Sequence, residues 1–178
     1  MSITSNANHY WLLIDTPESQ TAVDYPDDHS FEHFWWYKDT PLEGSLSASP
    51  LWFQVSEAQL DEALEQFPKA IVFQTQADNV AFIEHIKSVT LMLSPTHKPY
   101  VVRFYAPTYL EHWLSELPQE HQALLLGPIS LIQWRDGDIE HELTNNSPSV
   151  SHQERKTPWF QLSEAEWDLL KVAYKKQS

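Results

Sequence analysis

The sequence predicts an α/β fold: one layered domain with a mixed sheet, a late antiparallel hairpin and a C-terminal helix. Three observations carry that reading. Short apolar, β-rich runs alternate with stretches of helical periodicity through the middle of the chain, the pattern of strands and helices stacked in layers. Asp136-Gly137 sits between two strand-like segments, where a tight hairpin needs a residue that tolerates the left-handed conformation. The chain of 178 residues, 42% hydrophobic, is long enough to bury one core without a disulfide or metal staple.

The first strand is Tyr10–Ile14, an apolar run stopped by Asp15 and Thr16-Pro17. Thr21–His29 is polar, with Tyr25-Pro26-Asp27-Asp28 read as a turn. His33–Tyr37 is strand-like by aromatic content, and Leu51–Val55 is another short strand after the loop Thr40–Pro50. Ser56 with Gln59 forms a capping box for a helix from Glu57 to about Phe67, apolar at Leu60, Ala63, Leu64 and Phe67 and ended by Pro68. Ala70–Thr75 is a β-rich run, followed by a helix from an Asp78 cap to about Leu93 with Phe82, Ile86, Val89 and Leu93 on its buried stripe. Pro99–Tyr105 reads as a strand, Pro107 as the first turn of a helix over Thr108–Leu117, and Pro118 as the start of a shorter one to Leu126. Ile129–Trp134 and Ile139–Leu143 are the arms of the hairpin, and Ser163 caps a final helix to about Lys175. The expected organisation is an α/β domain over residues 9–143, a linker-like segment over 144–158 rich in Asn, Ser and Pro, and a C-terminal helix, 159–178, docked on the domain through Trp159, Phe160 and Trp167.

Charge narrows the partners. There are 25 Asp and Glu against 11 Lys and Arg, a net −14. Phosphate binding draws on clustered cations, so nucleic acid is not an expected partner, and an anionic membrane surface is disfavoured for the same reason. No stretch approaches the ~20 apolar residues of a membrane span, and the start lacks the basic region of a signal peptide. A cytoplasmic protein is expected. Zero cysteines exclude a disulfide framework and thiolate catalysis. Three glycines, where roughly 12 are usual, leave no phosphate cradle, and no cofactor is expected. Aromatic residues make up 13% of the chain, and aromatics anchor cores and protein interfaces. The balance favours a protein partner.

An ordered set of short strings is more informative than any one of them. Tyr10-Trp11-Leu12-Leu13-Ile14-Asp15, Ser49-Pro50-Leu51-Trp52 and Ala70-Ile71-Val72-Phe73 come first. Val102-Arg103-Phe104-Tyr105-Ala106-Pro107, Leu126-Gly127-Pro128 and the helix opening Leu162-Ser163-Glu164-Ala165-Glu166-Trp167 follow. Together they resemble the effector chaperone/adaptor proteins of bacterial type VI secretion, known as domain of unknown function 4123, over roughly residues 9–175. The resemblance implies structural roles for Asp15, Pro50, Trp52, Arg103, Phe104, Tyr105, Pro107, Gly127 and Pro128. It implies a non-catalytic protein that binds a secreted toxic effector in the cytoplasm and helps load it onto the VgrG spike. It also implies an Asp where this chain has Ala106, a helix cap worth about 1 kcal/mol unless Thr108 takes that role. Many members carry a helical second lobe, so the effector grip is expected from the α/β domain and its last helix.

Several side chains invite sharper readings. His29-Ser30-Phe31-Glu32-His33 fits the H-x-x-E-H string of inverted zinc metalloproteases, which needs both histidines one helical turn apart. Here the string lies between a turn and a strand, so a zinc hydrolase using His29, Glu32 and His33 is the weakest reading and no metal site is expected. Arg103 inside an apolar run either reaches solvent or a nearby carboxylate from one face of an alternating strand, or anchors a buried ion pair, for which Asp15 is the expected partner. Adjacent Trp35 and Trp36 on a strand point to opposite faces. With Tyr37 and the acidic rim of Asp27 and Asp28 they form the expected patch for a basic or aromatic-rich effector segment. Glu57, Asp61, Glu62 and Glu65 mark an exposed helix face and no catalytic pair. An acidic immunity protein covering a basic toxin site fits size and charge as well, and is the alternative function.

Overall fold

The computed structural model describes residues 7–149 and 155–177. Residues 150–154 of the linker-like segment lie outside the described residues, as do 1–6 and 178. The elements run β1 (His9–Ile14), α1 (Ser19–Ala22), α2 (Asp24–His29), β2 (His33–Trp35), β3 (Leu51–Val55), α3 (Glu57–Gln66), β4 (Ile71–Thr75) and α4 (Asn79–Ser88). They continue with β5 (Met92–Leu93), β6 (Pro99–Tyr100), α5 (Pro107–His112), α6 (Gln119–Leu126), β7 (Ile129–Asp136), β8 (Ile139–Thr144) and α7 (Glu164–Gln177).

Six strands form one sheet in the order β2-β3-β1-β4-β7-β8, and β5 pairs with β6 in a separate two-stranded ladder. The layered α/β class therefore holds, with one correction inside it: every pairing of the large sheet is antiparallel, where a mixed sheet was expected. The cause is the place of β1. β3, α3 and β4 are a true strand–helix–strand crossover, and β3 and β4 run the same way. β1 lies between them, antiparallel to both, so that Leu12 sits opposite Phe53 on one side and Val72 on the other.

Burial of the sheet on both faces explains the continuous apolar runs. Successive side chains of a strand point to opposite faces. Trp11, Leu13, Trp52, Ile71 and Phe73 join the larger cluster, covered by α4, α5, α6 and α7. Leu12, Ile14, Leu51, Phe53 and Val72 join the smaller one, under α2 and α3. In the larger cluster Trp11 stacks on Phe82 at 4.8 Å, and Trp52 meets Phe73 edge-on at 4.7 Å.

Local chemistry sets the element ends. The Ser56–Gln59 capping box forms as expected, and the Asp78 carboxylate accepts from the Ala81 N–H at 2.8 Å. The α7 start is a second capping box, with Ser163 N–H donating to Glu166 and Glu166 N–H donating to the Ser163 hydroxyl. Asp136 pairs with Ile139 across a two-residue turn in which Gly137 has φ +64°. Three expectations give way. The turn expected at Tyr25-Pro26-Asp27-Asp28 is instead part of α2, and Thr21–His29 carries the end of α1 and the whole of α2, ended by Ser30 at φ 59°. The helix after Asp78 stops at Ser88, freeing Met92–Leu93 to pair with Pro99–Tyr100. Beyond Tyr100 the expected strand to Tyr105 finds no ladder partner among the described residues: it keeps an alternation of exposed Val101 and Arg103 with buried Val102 and Phe104, and then turns at Ala106.

Among the described residues no side chain caps α5 at Ala106, and Thr108 does not take over the role. Ala106→Asp is expected to raise stability by about 1 kcal/mol, read as a higher urea midpoint at unchanged slope.

Candidate functional site

The scattered family strings meet in space. Arg103 pairs with Asp15, the partner named for it from the sequence, and its Nε donates to the Tyr105 hydroxyl at 3.1 Å. The pair is half-exposed, not buried in a strand, and Tyr105 is the buried member. Burial pushes the Tyr105 hydroxyl well above the ordinary tyrosine range, reinforced by the Asp15 charge, so it stays protonated. Burial alone would lower Arg103, but the Tyr105 and Asp15 groups raise it. The Ser49-Pro50 string lies close in the fold: Trp36 N–H donates to Pro50 O at 3.2 Å, Tyr37 N–H to the Ser49 hydroxyl at 3.0 Å and the Ser19 hydroxyl to Ser49 O at 2.9 Å. Pro107 opens α5 at its first position, and Phe104 is buried against Trp36. Strings some ninety residues apart thus brace one end of the sheet.

Gly127 and Pro128 brace another region. The Thr75 hydroxyl donates to Pro128 O at 2.7 Å, and Asn145, itself buried, donates through Nδ2 to Ile129 O at 2.9 Å and Gly127 O at 3.3 Å. The first part of the linker-like segment is held here, since Ser149 N–H also donates to Gly127 O.

The expected aromatic patch divides. Trp36 is 3% exposed and its Nε1–H donates to Ile86 O and to the Thr90 hydroxyl, both at 3.1 Å. It is a core residue, corrected from the surface role. Trp35 packs half-buried on the smaller cluster and Tyr37 on the larger one, while Asp27 and Asp28 are exposed on α2. Trp52 lies deeper still, and its indole N–H has no partner among the described residues. Trp36→Phe, which withdraws a donor from two acceptors, is expected to cost about 1 kcal/mol more than Trp52→Phe, measured as the difference between their melting curves.

His29, Glu32 and His33 do not converge. α2 ends at His29, which lies 2.8 Å from Tyr25 O, whereas His33 is already on β2 and faces Asp27 at 3.3 Å. Among the described residues the His–carboxylate group with ligand atoms within 4.8 Å of one another is Glu111, Asp136 and His141. Its contacts are those of a brace: His141 Nε2 is 3.6 Å from Glu111 Oε1, and Trp134 Nε1–H donates to the same oxygen at 3.2 Å, fastening α5 to the β7–β8 hairpin.

The open surface feature is a groove of about 520 Å³ between the segment after β6 and α7, a size typical of binding clefts. Its floor is Tyr100 against Trp167, rings 4.9 Å apart. Val101 and Tyr174, 47% and 67% exposed, face it from opposite walls. Arg103, Lys171 and Lys175 complete the lining, with no carboxylate among the lining residues. α7 is fixed behind the groove by Ala173, fully buried, by Trp113 Nε1–H donating to Glu166 O at 3.0 Å and by the His121–Glu166 pair. Sequence reasoning missed this site. Leu170, Lys171 and Tyr174 are legible as a helical stripe only once the opposite stripe is known to be buried.

The sheet is covered on both faces, and the groove beside α7 is open, largely apolar and lined by three cations. The profile of the family described as domain of unknown function (DUF4123) matches residues 10–124. The chain belongs to that family, the type VI secretion effector adaptors or Tap-type chaperones, which is not an enzyme family. The match runs from β1 into α6 and stops short of α7. No curated protein and no solved structure matches the chain. Among the described residues no helix is long and apolar enough to cross a membrane.

Proposed function

We propose that this protein is a cytoplasmic adaptor that binds one secreted effector and presents it to the VgrG spike, by stoichiometric binding without turnover. The observation that carries the reading is the family match over residues 10–124. The convergence of Asp15, Pro50 and Arg103 on one brace supports it, since the family strings then describe a common scaffold. Asp27 and Asp28, exposed on α2, are assigned to a basic effector segment, with Trp35 and Tyr37 as partly exposed neighbours in sequence. Deleting the gene is expected to leave the effector synthesised but not secreted, with secretion restored by the native chain. Native pull-down is expected to bring down both effector and VgrG. Normal secretion without the protein, together with protection of cells against the mature toxin domain, would instead identify an immunity protein.

A further inference from the structure

We propose that the groove between the segment after β6 and α7 is the seat of an amphipathic helix of the effector, apolar along one face and carrying carboxylates on its flanks. The inference rests on the adaptor reading and adds the chemistry of the bound segment.

Three observations point there. The α7 residues lining the groove are Trp167, Leu170, Lys171, Tyr174 and Lys175, spaced i, i+3, i+4, i+7 and i+8. That is one continuous face of a helix, the shape that accepts a second helix ridge into groove. The opposite wall supplies Val101, and the rings of Tyr100 and Trp167 form the floor, so the seat is apolar between its cations. Finally, the charge is of the wrong sign for this chain. In a protein of net −14 the groove is lined by Arg103, Lys171 and Lys175, while Asp15 and Asp168, the partners of Arg103 and Lys171, lie outside the lining. The other three cavities described all have carboxylates in their lining: Asp61 and Glu140 in one, Glu120 and Glu166 in another, Asp39 and Glu84 in the third. A rim of cations around an apolar floor selects a segment with flanking carboxylates and repels a basic one.

The test uses the whole chain and a fluorescein-labelled synthetic helical peptide with Leu along one face and Glu on both flanks. By fluorescence anisotropy the native chain is expected to bind it at least about tenfold more tightly than the same peptide with Lys in place of Glu. Lys171→Glu/Lys175→Glu is expected to reverse that preference. Tyr174→Asp changes a side chain that is mostly exposed, so it is expected to weaken the acidic peptide by a similar factor at unchanged melting temperature. Equal binding of the two peptides, or none to the native chain, overturns the proposal. So does a concentration-dependent dimer in sedimentation that Tyr174→Asp abolishes, because the groove then seats a second copy of this chain. The adaptor reading is judged separately. If effector co-purifies equally with native and Tyr174→Asp chains, the adaptor reading stands and the groove assignment falls. If effector co-purifies with neither, the adaptor reading falls and takes the effector assignment with it.

Discussion

Replacing Gly127 by alanine is expected to lower stability by about 4 kcal/mol, the sum of a backbone and a packing cost. Gly127 has φ +54° and ψ −115°, a conformation that L side chains rarely adopt. A Cβ built there would also fall 2.4 Å from Cε1 and 2.6 Å from Nδ1 of His85. The ring has little freedom to retreat, since its Nε2 is held 2.7 Å from Leu125 O. Nor is the glycine free to move: its N–H donates to Ala123 O, and its carbonyl accepts from Asn145 and Ser149. At this chain length the loss corresponds to a fall in melting temperature of roughly 10 °C. The double variant Gly127→Ala/His85→Ala separates the two costs. Its loss is expected to be smaller than the sum of the single losses by more than about 1 kcal/mol, because removing the ring abolishes the clash that Gly127→Ala alone suffers. Strict additivity would remove the clash from the explanation.

Acidification is expected to destabilise the protein through the same histidine. Burial, helped by the Arg155 charge and opposed by the hydrogen bond to Leu125 O, lowers the His85 pKa from 6.5 to about 4. In the folded state the ring is therefore neutral, with Nε2–H donating to the carbonyl. In the unfolded chain it takes up a proton below pH 6.5. The stability contributed by the neutral ring is complete above pH 6.5 and is lost as pH falls through about 4, at about 1.4 kcal/mol per unit. Urea unfolding at pH 7 and at pH 4.5 measures it against His85→Gln, which keeps a side-chain N–H donor and cannot titrate. The native chain is expected to lose about 2–3 kcal/mol more than the variant over that interval. Equal losses would show that His85 protonates in the fold without penalty.

Much of this architecture is written locally. The apolar runs at 10–14, 51–55 and 70–75, the Ser56–Gln59 and Ser163–Glu166 caps and the Asp136-Gly137 turn each specify their element through neighbours in sequence. The Asp15–Arg103 pair was legible only as one alternative, because a cation in an alternating run can also reach solvent, and both side chains are in fact half-exposed. The strand directions were not, because β3–α3–β4 looks the same in sequence whether its strands are adjacent or parted by β1. Beyond Tyr100 the run to Tyr105 has the alternation of a strand without a ladder partner among the described residues, and alternation reports burial, not pairing. Trp36 read as a surface anchor because nothing near it in sequence reveals α4 above it, whose Ile86 carbonyl takes its N–H. The groove was hidden for a similar reason: Lys171 and Lys175 suit the C-terminal end of any helix dipole, and only the buried face of α7 tells which side is left open.

The central position of β1 also has a consequence for biosynthesis. Its two partners, Leu51–Val55 and Ile71–Thr75, come much later in the chain. At roughly 5–20 residues per second, the nascent polypeptide carries an unmatched Trp11-Leu12-Leu13-Ile14 for seconds before either arrives. Such a segment is a nucleus for aggregation on crowded polysomes. The stretch that follows it contains Asp15, Glu18, Asp24, Asp27, Asp28 and Glu32, with no Lys or Arg before Lys38. Those carboxylates make neighbouring nascent chains repel one another during the interval, a gatekeeping duty that ends when the sheet closes over β1.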